Sequence, residues 1–400
     1  MNEYNFVYMT DESFAMPTAV AVKSLIEHKS PDCSYNINII LDDVSDYSVG
    51  KLREVECDGV IISFHKVDAK RYDAVAKSIL VDSIHVPRTD MLKFELPNYL
   101  SELDEVLYVD GDIIMNKCIE PLFDTDISEH YVASVDDMGD RYDEQGISWL
   151  ANRIGFPSMH YFNAGFMYLN LKRMREDGIS EKLWEYRKNG KNYFMSQDAL
   201  NYVLRDGRVS LPYKYNFRSA IVNELEFDEI NSNYFNEKYE NITACIEDQT
   251  VIHMTDRMKP WDYNMPWFTE IFIKYYEISP YSGQKLYLKS PIKKKSDMVE
   301  EVIWNIFVKN IEPDDKVILY GAGSIGRRIN TKNKNNDYCD IVLWVDGNPR
   351  PGICVVSPQN ILGMEFDKVV VAISQRKMAL EIREMIVNMG VDKSKILVLG

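Results

Sequence analysis

Short β-prone runs alternate with helix-like apolar segments over the first 110 residues. Asn5–Met9 reads as a strand. Pro17 opens an apolar helix through His28, at a position where proline's missing N–H has no intrahelical acceptor to lose. Asn36–Leu41, Gly59–Phe64 and Val106–Val109 read as further strands. Strands that alternate with helices predict α/β layers around a mainly parallel sheet. The middle of the chain, Ile113–Trp261, is mixed. Tyr131–Val135, Gly165–Leu169 and Thr250–His253 have strand character, and Ser196–Leu204 has helical character with Ser196 as N-cap. Arg218–Asp248 is polar and aromatic with weak periodicity, which predicts loops.

The pattern breaks between Tyr281 and Lys295, where lysines cluster around Pro291. A helix follows, with Val299, Val302, Ile303, Ile306 and Phe307 on one face. Beyond Pro313 comes a smaller α/β pattern, with strands at Lys316–Tyr320, Ile341–Val345, Lys368–Ile373 and Ile396–Leu399. An amphipathic helix runs through Ile382, Met385, Ile386 and Met389. The expected organisation is a large domain over 1–280, a basic linker and connecting helix over 281–314, and a small domain over 315–400.

Composition narrows the function classes. The chain of 400 residues carries 46 basic and 62 acidic side chains. The charge is −19 up to residue 314 and +3 beyond it. Such an acidic large domain argues against a nucleic-acid partner, which needs clustered cations. No apolar run approaches the ~20 residues of a membrane span, and the N-terminus has no signal-peptide pattern. The six cysteines form no CxxC pair and suit a cytoplasmic protein. The lysines from Lys285 to Lys295 offer weak contact with an anionic membrane surface, against the simpler reading of a solvated linker.

The best chemical signal is Leu107-Tyr108-Val109-Asp110-Gly111-Asp112. A strand delivers two carboxylates, one residue apart, at its C-terminal end, where open parallel sheets bind ligands. Such a pair can share a hard divalent ion, Mg²⁺ or Mn²⁺, that bridges substrate phosphates. Gly111 allows close approach of the ligand. Around it stand Thr10-Asp11-Glu12-Ser13-Phe14 past the first strand, Phe162-Asn163-Ala164-Gly165-Phe166, Ser196-Gln197-Asp198, and His253 with Lys259 six residues on.

In this order the blocks resemble those of the family 8 retaining glycosyltransferases, the group of the bacterial lipopolysaccharide galactosyl- and glucosyltransferases and glycogenin. The resemblance covers roughly residues 1–280. It implies a GT-A type nucleotide-diphospho-sugar transferase domain that moves a hexose, galactose or glucose, from a UDP-sugar to a glycan or lipid-linked acceptor. Surface polysaccharide synthesis, in the cytoplasm or at the inner face of the membrane, is the implied setting. Asp110, Asp112 and His253 would hold Mn²⁺ or Mg²⁺. Thr10, Asp11 and Phe14 would take the uridine, Gly111 and Lys259 the diphosphate, and Asp136 the donor sugar. Asn163, Gln197 and Asp198 would surround the anomeric carbon. Retention would follow a front-face route or a double displacement using Gln197 or Asp198. Several positions depart from the family. Met91 stands where an Arg is common, with Arg88 and Lys93 nearby. Ser196 stands where many members have Asp, and Phe14 replaces a usual Tyr. A non-catalytic sugar-nucleotide sensor or scaffold stays open as an alternative.

The small domain has Gly321, Gly323 and Gly326 as GxGxxG between a strand and a helix, with Asp346 twenty residues beyond. That is a dinucleotide fingerprint with its ribose acid. It resembles small Rossmann-like domains of sugar-modifying enzymes. A second nucleotide of unknown identity, an empty structural module, and a nicotinamide-dependent oxidoreductase are the readings it allows.

Overall fold

The computed structural model describes residues 2–68, 88–140, 142–143, 145–290, 295–347, 355–373 and 376–399. The chain divides into two compact units, Met1–Pro291 and Ile292–Gly400.

Among the described residues, the first unit has ten strands: β1 (Asn2–Asp11), β2 (Cys33–Asp42), β3 (Val60–Lys66), β4 (Glu105–Val109), β5 (Ile113–Met115), β6 (Val132–Asp136), β7 (Phe162–Asn170), β8 (Arg208–Leu211), β9 (Phe217–Arg218) and β10 (Val251–His253). Seven of them form one sheet in the order β3-β2-β1-β4-β7-β6-β8. β1, β2, β3 and β4 pair in parallel, as do β6 and β8, whereas β7 runs antiparallel to both β4 and β6. The reversed strand decides where the chemistry sits. It brings the N-terminal end of β7 to the same sheet edge as the C-terminal ends of β1, β4 and β6.

Side chains alternate across this sheet, as a period of two requires. Phe6 and Tyr8 of β1 with Leu107 and Val109 of β4 enter one apolar cluster. Val7, Met9, Val106 and Tyr108 enter another on the opposite face. Both faces of the central strands are therefore covered, and burying each large apolar side chain contributes roughly 1.5–3 kcal/mol. The helix Ala15–Glu27 packs into the first cluster through Ala19, Val22 and Leu25.

A small second sheet, β5-β10-β9, completes the edge. β10 lies antiparallel to β5, with His253 opposite Ile113, and parallel to β9, with His253 beside Arg218. The stretch expected as loops, Arg218–Asp248, instead holds helices at Ile221–Glu224, Phe227–Phe235 and Ile242–Asp248. They are short and separate, so no long period develops. Glu226 and Glu229 form a capping box, and the Asn241 side chain caps Ala244.

The second unit is a four-stranded parallel sheet of β11 (Lys316–Tyr320), β12 (Asp340–Val345), β13 (Lys368–Ala372) and β14 (Ile396–Leu399), in the order β12-β11-β13-β14. The helix Lys295–Asn310, expected as a connector, belongs to this unit. Its Ile303 and Phe307 share an apolar cluster with Val317, Leu319 and Val370. Among the described residues, no helix is long and apolar enough to cross a membrane.

Candidate functional site at the carboxyl edge of the large sheet

β4 ends at Val109 and releases Asp110-Gly111-Asp112 at the sheet edge. β10 brings His253 alongside through its pairing with β5, and the Met254 N–H donates to the Asp112 carbonyl at 2.9 Å. One ligand atom each from Asp110, Asp112 and His253 falls within 4.8 Å of the others. His253 Nε2 lies 3.2 Å from Asp112 Oδ1 and 3.8 Å from Asp110 Oδ2. Two carboxylates and an imidazole suit a divalent cation of the Mn²⁺ or Mg²⁺ type.

Two glycines make this convergence possible. A Cβ on Gly165 would overlap His253 Cε1 and lie 2.7 Å from Asp110 Oδ2. A Cβ on Gly111 would sit 2.5 Å from Thr18 Oγ1 and 3.5 Å from the Phe14 ring. The side-chain-free surfaces of β7 and of the turn thus form the floor of a cradle.

The acidic pair is matched by two lysines. Lys259 Nζ lies 2.7 Å from Asp112 Oδ2 and donates to the Met254 carbonyl at 2.6 Å. Burial works to raise the Asp112 pKa, but Lys259 and His253 outweigh it and hold the carboxyl well below the usual range. The buried Lys93 bridges Asp90 at 2.9 Å and Asp110 at 3.2 Å. Burial works against its charge, and the Asp110 and Asp90 carboxylates more than reverse that. Tyr108 also donates to Asp110. Met91 is buried, and Lys93 is a cation placed against Asp110.

From His253 a chain of amides runs along the edge. Asn216 joins His253 Nδ1 at 3.0 Å and donates to Asn163 Oδ1 at 3.0 Å. Asn163 donates to Gln197 Oε1 at 3.2 Å, and Gln197 donates to Asp137 Oδ2 at 3.2 Å. Arg218 holds the other oxygen of Asp137 at 2.5 Å. Lys93 was expected here only as a substitute near Met91, and Asn216 and Gly165 only as members of longer blocks with no role of their own. Asp137 and Arg218 were given no role, because spacing does not separate them from their neighbours.

Residues 5–265 match the family model described as Glycosyl transferase family 8. The chain belongs to this family. It is a glycosyltransferase. The family 8 chain is 27% identical over 299 residues to a lipopolysaccharide 1,2-glucosyltransferase of Escherichia coli, covering 73% of this chain and 82% of that one. It is 24% identical over 287 residues to a lipopolysaccharide 1,3-galactosyltransferase of Salmonella typhimurium, covering 65% and 73%. The solved galactosyltransferase LgtC, in complex with donor and acceptor sugar analogs, superposes with a TM-score of 0.56 at 22% identity, covering 69% of this chain and 96% of that one. The fold is therefore of the GT-A type. Residues 313–397 match a second model, described as C2185-like, N-terminal.

Several expected site residues of the family 8 domain are placed differently from expectation. Asp198 is buried, with 1% exposure, and turned inward. Its carboxylate accepts from Tyr161 Oη at 2.7 Å, from the Phe194 N–H at 2.6 Å and from the Tyr193 N–H. Burial pushes its pKa above the usual Asp value despite those donors. Asp198 therefore holds the turn before its own helix. Ser196 makes no capping bond with its side chain, and its N–H donates to Asp90 at 2.6 Å. Asp136 pairs with Arg208 at 2.6 Å and His160 at 3.1 Å, and its neighbour Asp137 is the carboxylate that meets Gln197. Asp11 caps the turn over Phe14, accepting at 3.1 Å, and Thr10 Oγ1 donates to the Asp11 carbonyl at 3.0 Å. Phe14 meets Trp261 edge to face at 5.7 Å between ring centres.

In the second unit the glycine turn is packed on itself. A Cβ on Gly326 would overlap the Gly321 carbonyl oxygen, and Gly321 has a φ of +113°. Asp346 Oδ2 accepts from the Ala322 N–H at 2.6 Å, and Trp344 Nε1 donates to the Gly321 carbonyl at 2.9 Å. Space is open beside Gly323. Asp346, expected at a ribose, is engaged by the turn. In the basic segment, Lys289 pairs its backbone with Asp262 and Asn264, and Lys285 lies over Tyr287. Residues 291–294 lie outside the described residues.

Proposed function

We propose that the first unit transfers a hexose, galactose or glucose, from a UDP-sugar to a glycan or lipid-linked acceptor with retention at the anomeric carbon, in surface polysaccharide synthesis. The convergence of Asp110, Asp112, His253 and Lys259 at the edge that also holds Asn163 and Gln197 carries this reading. The names of the relatives supply the sugar classes and the polysaccharide setting.

Asp110, Asp112 and His253 would hold the divalent cation, Mn²⁺ before Mg²⁺ because of the imidazole. That ion supplies positive charge at the departing diphosphate. Lys259 adds a second charge beside it. Thr10, Asp11 and Phe14 line the first turn, where a uridine would meet a peptide edge and a ring. Gly111 admits the phosphates to the turn. The anomeric carbon would lie by Asn163 and Gln197.

Two hydrogen-bond patterns favour front-face retention. The Gln197 oxygen already accepts from Asn163 and, at 3.0 Å, from the Ala164 N–H, so it is not aimed outward as a nucleophile. The Asp198 carboxylate is buried under three donors. The acceptor oxygen would bond to the anomeric carbon as the bond to phosphate breaks, and its proton would pass to the departing phosphate oxygen. Gln197 retains an amide N–H toward the site once one is given to Asp137. Asp137, not Asp136, is then the carboxylate nearest the sugar. A setting at the cytoplasmic membrane face is part of the proposal, as is a nucleotide at the open side of Gly323.

The test is UDP release from a panel of UDP-sugars with Mn²⁺, repeated with a chelator. Release from one sugar, abolished by chelation, is the expected result. UDP binding without release from any sugar would overturn the transferase reading of this site in favour of a sensor.

A further inference from the structure

We propose that Asn216 is a positioning residue that couples the cation ligand His253 to Gln197. The inference rests on the cation reading above and assigns a role to a side chain to which the resemblance gave none.

The polarity of the amide chain is fixed by two backbone groups. Asn163 Oδ1 accepts the Gly165 N–H at 3.1 Å, so it is the oxygen that faces Asn216. Asn216 must then present its NH₂ to Asn163 and its oxygen to His253. An oxygen at His253 Nδ1 requires the proton on Nδ1. In the neutral ring, the form that can hold a cation, the lone pair then sits on Nε2, the nitrogen that faces Asp112 and Asp110. A partner that fixes the tautomer and the ring plane of a metal-binding histidine is a general requirement of such sites.

The same logic runs outward. The Ala164 N–H fixes Gln197 Oε1, so Asn163 turns its NH₂ there, and the Gln197 NH₂ turns to Asp137. Arg218, which holds Asp137, is the register partner of His253 across β9 and β10. The path therefore closes on itself, and Asn216 is its buried link, with 1% exposure. Reversing that one amide would place oxygen against oxygen at Asn163 and N–H against N–H at His253.

Two substitutions separate the two halves of this role. Asn216→Asp keeps an oxygen for His253 and loses the donor to Asn163. Mn²⁺ affinity of the protein alone, measured by electron paramagnetic resonance, should stay within about threefold, while kcat for UDP release falls about 10–100-fold and KM for the donor moves little. Asn216→Ala should weaken Mn²⁺ itself by about 10–100-fold. A merely structural role would lower both readouts with the folded fraction in both variants, with no split, and would overturn the proposal. So would an Asn216→Ala protein with wild-type Mn²⁺ affinity. A wild-type protein that binds no Mn²⁺ would overturn the cation reading and this inference with it. A wild-type protein that binds Mn²⁺ beside variants that behave identically would overturn this inference alone.

Discussion

Each unit of the chain carries a glycine-containing turn at the carboxyl end of a parallel strand, with an acid beside it. After β4, Asp110-Gly111-Asp112 meets a histidine and two lysines that come from other parts of the chain. After β11, the Gly321-Ala322-Gly323 turn meets Asp346, and Oδ2 of the acid accepts from an N–H of the turn itself. The two motifs look equally strong as strings. They differ in where the acid's partners come from. Partners drawn from distant segments leave charge focused at a surface cradle, whereas a partner in the adjoining turn uses the acid to hold the backbone.

The largest expected break in this contrast is Asp112→Asn. UDP release should fall at least about a hundredfold, as for loss of a ligand whose supporting partners alone are worth 10–100-fold. Kinetics against the same protein's thermal melting check it. Gly165→Ala comes next. The added methyl overlaps His253 Cε1, and Mn²⁺ affinity should drop about tenfold or more with melting changed less; a metal titration reads the difference. Gly326→Ala should act on stability, lowering that of the second unit by about 1–3 kcal/mol through overpacking against Gly321. UDP release per folded molecule should be unchanged, which denaturant unfolding followed with an activity assay would show. Asp346→Ala, of comparable size, comes last. Loss of the charge-assisted bond to Ala322 should cost about 1.5–3 kcal/mol, seen as a lowered denaturation midpoint, with donor turnover intact. An Asp346→Ala variant that abolished UDP release would erase the distinction between the two turns.

The alternation of strands and helices was legible because β1 and β4 carry continuous apolar runs, Phe6–Met9 and Val106–Val109, and β2 alternates apolar and polar positions up to Ile39. So were the acids and the histidine, which end strands. Three things were not. The reversed direction of β7 leaves no mark on its own sequence, because a strand buried on both faces looks alike either way round. The helices within Arg218–Asp248 are too short for periodicity, although the Glu226–Glu229 box is a signal a closer reading would find. The inward turn of Asp198 depends on Tyr161, which is 37 residues away in sequence. Adjacent acids such as Asp136 and Asp137 cannot be told apart until Arg208 and Arg218 choose between them.

With Lys93 against Asp110 and Lys259 against Asp112, the acidic pair is never bare. The lysines hold Asp110 Oδ1 and Asp112 Oδ2, while Asp110 Oδ2 and Asp112 Oδ1 face His253. On the proposed reading, a cation arriving alone would meet carboxylates whose charge the lysines already balance. A cation arriving with a diphosphate would bring Lys259 a second anionic partner. Each would then tighten the other's hold, by the same factor in both directions. A site arranged in this way would hold metal already wedded to a nucleotide more firmly than metal arriving alone.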